Sequence, residues 1–177
     1  MSSRDFTLRK ITDDYTPGLA RQKLASFFED RETALLAVGK LNRTQVCVLA
    51  ALLDGKCITT SGYSIPADYG VKRASAVMHS LEKEHFFPIS SRRIETESDV
   101  GTKTKQALFF ISQDDRERLK LEPNQILEEI YQKACLTKAS QAQKEIIRLV
   151  KEFGEAGILE LVKKAANDEP GPDLSAG

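Results

Sequence analysis

The groups best suited to contact an acidic partner gather around residues 71–83. Lys72, Arg73, Ser75, Ala76, His79 and Lys83 are interleaved there with Val71, Ala74, Met78 and Leu81. The apolar set recurs at spacings of three and four, the period of one helix face, with Val77 beside it. The other set then shares the opposite face. Guanidinium and ammonium groups bind phosphate and the acceptor edge of guanine, and small side chains let a helix come close to base edges. Arg73 is the better candidate for a bidentate guanine contact, worth about 1–3 kcal/mol of discrimination. The spacing predicts a helix over residues 71–81 that can enter a major groove. A solvated helix face is the plain alternative.

Other chemistry finds less support. His79 and His85 are the only histidines and stand six apart, which does not put them on one helix face. Cys47, Cys57 and Cys135 are odd in number and have no ligand spacing, so no metal site is expected. Cys47 lies in an apolar helical pattern and reads as a buried thiol, which suits a reduced, cytoplasmic protein. There is no phosphate-cradling glycine loop, no nucleophile elbow and no dinucleotide fingerprint. The expectation is a chain that needs no cofactor and is not an enzyme.

The 177 residues suit one small domain with appendages. Lys+Arg 26 balances Asp+Glu 26, which argues against a coat protein that binds nucleic acid without specificity. A specific binder needs only a positive contact face. Residues 71–93 supply a local excess: Lys72, Arg73, Lys83, Arg92 and Arg93 against Glu82 and Glu84. No apolar run approaches the ~20 residues of a membrane span, and the N-terminus lacks the apolar core of a signal peptide.

The elements that must position this face follow in chain order. Residues 1–15 read as a loose arm. Thr16-Pro17 starts a helix with an apolar face through Leu19, Leu24, Phe27 and Phe28, followed by Leu35, Leu36 and Val38. Glu29-Asp30-Arg31 marks a break and Gly39 a stop. Asn42 and Gln45 offer a capping box to a buried helix that Gly55 ends. Thr59, Thr60 and Ser61 carry hydroxyls suited to phosphate, and Thr60 equally suits a cap. Residues 64–69 read as a brief helix opening at Pro66, with Gly70 as a positive-φ turn before the basic helix. Two β-like runs then predict a hairpin, one holding Arg92 and Arg93, the other starting at Gln106, with Gly101 in the loop. Lys103 and Lys105 stand near it, but so do Glu95, Glu97 and Asp99. Adjacent strand residues point to opposite faces, so only one of Arg92 and Arg93 can face a duplex. Ser112 caps a further helix, Pro123-Asn124 starts the next, and Ile146, Leu149, Val150, Phe153, Ile158, Leu161 and Val162 form a later stripe that reads as core or as a dimer surface. The tail from residue 167 reads as disordered. The fold class expected is mainly α with a small β-hairpin: an N-terminal arm and helices (1–41), a winged helix-turn-helix core (42–112), C-terminal helices (113–166) and the tail.

Residues 58–89 resemble a small helix-turn-helix family common in bacteriophages and other mobile elements. The match rests on Thr60, Tyr69-Gly70, Arg73, Leu81 and the Pro88-Ile89 entry to the wing strand. Gly62 and Pro66 depart from the family's pattern in its short helix. The resemblance implies binding to double-stranded DNA and a mobile-element origin. A two-fold homodimer formed through the flanking helices would match palindromic sites. The alternative is an adaptor that uses the winged fold to bind a host protein without nucleic acid; zero net charge and acids in the wing loop favour it.

Overall fold

The first described residues depart from the loose arm that their polarity predicts. In the computed structural model, which describes residues 9–60, 66–97 and 101–168, β1 (Arg9–Lys10) runs into a 3-10 turn at Ile11–Asp13. Ile11 and Tyr15 are buried and anchor this segment. The Tyr15 hydroxyl donates to Asp54 Oδ2 at 2.7 Å, and Lys23 Nζ meets the same oxygen at 2.7 Å.

Thr16 and Pro17 open α1 (Pro17–Phe28) as predicted, with the Thr16 hydroxyl accepting from the Leu19 amide. α2 (Glu32–Gly39) follows the expected break, where Glu29 takes φ 41°. α1 buries Ala20, Leu24 and Phe28, a stripe at intervals of four. Leu19, expected on that face, is 51% exposed, because the stripe that Leu24 and Phe28 define passes through Ala20. Leu36 is exposed too.

α3 (Arg43–Leu53) is the centre of the core. Its capping box forms: Gln45 N donates to Asn42 Oδ1 at 3.0 Å, and Asn42 N donates to Gln45 Oε1 at 2.8 Å. Residues 45–53 are all buried, so beyond Arg43 and Thr44 in its first turn this helix has no solvated face. Gly55 ends it at φ 82°.

Residues 66–70 correct the sequence reading. No helix opens at Pro66. β2 (Ile58–Thr59) pairs in parallel with β3 (Tyr69–Gly70), and β3 pairs in parallel with β1. Four residues after Pro66 are too few to meet the cost of helix nucleation. Tyr69 instead buries its ring edge-on against Tyr15, centroids 5.8 Å apart, and its hydroxyl donates to Asp14. Asp68 Oδ2 accepts from the Cys57 amide at 2.8 Å and holds the two strands together. Gly70 is part of the strand; the left-handed residue is Arg73, at φ 55° and ψ 36°. Ser61, Gly62 and residues 63–65 lie outside the described residues.

α4 (Ala74–Lys83) therefore starts three residues later than predicted and buries Ala74, Met78 and Leu81. β4 (Ser90–Glu97) and β5 (Lys103–Phe110) make the expected hairpin, longer than the sequence pattern suggests. Gly101 has the positive φ expected of a turn residue, 75°, and Asp99 falls outside the described residues. β2 joins the other edge of β5 at Ile58↔Phe109, giving a five-stranded mixed sheet in the order β1-β3-β2-β5-β4. The chain is mainly helical with this small sheet beside it.

Ser112 caps α5 (Gln113–Leu121) through the Asp115 amide at 3.1 Å. α6 (Pro123–Asp168) is one long element where the sequence suggested several, broken only at Gly154, whose φ 69° and ψ 165° are not helical. The chain divides into two units, Met1–Gln132 and Lys133–Gly177. The opening turns of α6 belong to the first and complete its core with Ile126 and Leu127. In the second unit the stripe read as core is not core. Ile146, Phe153, Leu161 and Val162 are all at least half exposed, and no described residue from 133 to 166 is buried. α6 reaches Asp168, past the predicted tail boundary, and residues 169–177 are outside the described set.

Candidate nucleic-acid interface

α4 owes its orientation to the side it buries. Ala74, Met78 and Leu81 lock it onto the core, and Val71, just before it, is buried with its amide bonded to the Thr59 carbonyl at 2.9 Å. Ser75, Ala76, His79 and Lys83 are consequently exposed, as the periodicity requires, and Lys72 and Arg73 are exposed just before the helix. The change in helix start alters one relation among them: Lys72 and Arg73 belong to the turn before α4, not to its face.

That turn meets the start of α3. Asn42, Arg43, Thr44 and Gln45 line one wall of an open groove of about 620 Å³, and Lys72, Arg73, Ala76, Val77 and Ser80 line the other. Three of these residues are cations and none is an acid. The groove also lies at the first turns of both α3 and α4, where the positive ends of the helix dipoles add to the charge. Arg43 and Thr44 were not singled out from the sequence. A signal was there: a cation in the first turn of a helix opposes the dipole, so Arg43 is poorly explained by helix stability alone.

A hydrogen-bonded chain ties the two walls together. Gln45, 5% exposed, completes the α3 cap with its carbonyl and gives its amide to Ser80 Oγ at 2.7 Å. The Ser80 hydroxyl in turn donates to Glu84, just past the end of α4. Removing the Ser80 hydroxyl would leave the buried Gln45 amide without its partner.

The remaining predicted residues are dispersed. Ser75 and His79 stand on α4 beside the groove and do not line it. Lys83 is held by Glu82 at 2.6 Å, which offsets its charge. Thr60 is exposed at the end of β2, with no described helix for it to cap. Thr59 is withdrawn from solvent altogether: it is fully buried, and its hydroxyl bonds to Gln106 Oε1 at 3.0 Å and the Ala107 carbonyl at 3.1 Å. Arg92 and Arg93 are in register with Leu108 and Ala107 and so occupy opposite faces of the hairpin, as strand geometry demands. Lys105 stands directly opposite Glu95, and Lys103 is in register with Glu97. The Glu95 carboxylate opposite Lys105 blunts the positive character of the hairpin.

Among the described residues no group of three His, Cys, Asp or Glu side chains could hold a metal ion, and no helix is long and apolar enough to cross a membrane. Tyr15 and Tyr69 are the titratable groups most displaced. Burial, then the hydrogen bonds to Asp54 and Asp14, pushes both phenols up, Tyr69 to about 12. Such phenols stay protonated and serve as structural donors. No family model, curated protein or solved structure matches this chain.

Proposed function

We propose that this protein binds double-stranded DNA in a sequence-specific way, with α4 presented to the major groove and the basic groove between α3 and α4 seated on the phosphate backbone. The observation that carries the reading is the lining of that groove. Arg43, Lys72 and Arg73 converge beside Ala76 with no acid among them, in a chain whose net charge is zero. Cations concentrated where two helices begin are the chemistry that holds phosphodiesters. Ser75, Ala76 and His79 then offer a hydroxyl, a methyl and an imidazole to base edges.

The winged helix-turn-helix reading has support in part of the sheet. The β4–β5 hairpin follows α4 and takes β2 on its inner edge. β3 stands where a short helix was expected, so any such module is a modified one. The role most consistent with it is a transcriptional regulator or an accessory factor of replication or recombination, as on a phage or plasmid. The adaptor reading keeps one observation of its own, the Glu95–Lys105 pairing on the wing, which suits a protein surface better than a phosphate backbone. Gel-shift titration of duplex fragments against wild type and Arg43→Ala distinguishes the two. The DNA reading expects affinity to fall about equally for all duplexes, by about 1.5–3 kcal/mol for a lost hydrogen bond to a charged phosphate, and an unchanged affinity removes the groove from the interface.

A further inference from the structure

The second unit consists, as far as it is described, of the later part of α6 and leaves its apolar side chains in solvent. Ile146 and Phe153 among them belong to a heptad pattern, while Leu136, Ile147, Leu159, Leu161 and Val162 lie off it. Ala139, Ile146 and Phe153 are seven apart, and Cys135, Ala142 and Leu149 form a second column four residues earlier, so the two columns make one seam. Lys138, Glu145 and Glu152 run along one flank. All nine positions precede the break at Gly154, so their helical phase is uninterrupted. Ile146 is 57% and Phe153 51% exposed.

We propose that this seam pairs with the same seam of a second copy of the chain, and that the two helices run antiparallel. Side-chain volume and charge both select this occupant and this orientation. In an antiparallel pair, each layer joins one column of the first copy to the other column of the second. Ala139 then meets Leu149, Ala142 meets Ile146, and Cys135 meets Phe153, small against large in every layer. A parallel pair would stack each residue on itself, crowding Phe153 on Phe153 and leaving a void at Ala142. Antiparallel pairing also sets Lys138 of one copy beside Glu152 of the other, twice by symmetry. A parallel pair would face that flank with Leu136, Gln143 and Val150, which carry no charge. Glu145 approaches its own counterpart at the two-fold axis, and each is already neutralised by Arg148 of its own chain at 2.6 Å.

Sedimentation equilibrium on the full chain tests this, over about a hundredfold range of concentration. The wild type is expected to pass from one copy to two as concentration rises. Lys138→Glu and Glu152→Lys should each weaken the dimer about two- to tenfold, and the double variant should recover wild-type association, a rescue that loss of helix alone cannot produce. Ile146→Asp should leave a monomer. A wild type that is monomeric throughout, or a double variant no better than its parents, overturns the proposal.

Discussion

Arg73 holds its side chain on a left-handed backbone at the entrance to α4. A β-carbon there costs about 1–2 kcal/mol that glycine would not. Arg73→Gly is therefore expected to match or exceed the wild type in thermal stability while losing duplex affinity by about 1–3 kcal/mol. Thermal melting and gel-shift titration of one preparation check both halves; a variant that binds normally would show that the strain serves something else. Tyr69 supplies a second residue-scale outcome. Its folded pKa of about 12 lies above the ordinary phenol value of 10.0. Below pH 10 both folded and unfolded chains hold the proton, so the contribution is complete; between pH 10 and about 12 only the folded chain holds it, and stability is lost as pH rises. Tyr69→Phe should remove that part of the loss, read from urea melts at pH 9 and pH 11. The exposure of Ser75, Ala76, His79 and Lys83 on α4 was legible from period; Lys72 and Arg73 are exposed as well, but in the turn before the helix. Arg43 was not, because its neighbours in the groove are brought to it by the fold and not by the sequence.

Elements were legible where local signals agreed. Thr16-Pro17, the Asn42–Gln45 box, Gly55, Gly101 and Ser112 each fixed a boundary through backbone chemistry that needs no tertiary help. β3 was not legible, since a two-residue strand exists only by pairing with β1 and β2 on either side. α6 was misread for a related reason: its stripe has helical period, but period does not say whether anything covers it. Gln45 links two elements, capping α3 and bonding Ser80 on α4. Gln45→Ala should cost about 1–2 kcal/mol in chemical denaturation, more than loss of one exposed cap contact. A cost near zero would mean that the buried amide does not fix α4 against α3.

At the scale of the whole molecule, the buried apolar residues among those described all lie at or before Leu127. A chain ending at Gln132 is thus expected to keep a cooperative unfolding transition within a few degrees of the full chain's melting temperature, measured at a concentration where the full chain is monomeric. Broad, non-cooperative melting would show that the first unit needs the rest. The basic groove, by contrast, makes a claim about what the molecule meets. Its direct test is the salt dependence of affinity for duplex fragments selected from a genomic library, compared between wild type and Arg43→Ala. The account predicts that wild-type affinity falls linearly with salt on logarithmic axes, and that the variant's slope is shallower by about 0.9, one phosphate contact. Failure to retain any fragment, or an affinity indifferent to both salt and Arg43, would contradict it.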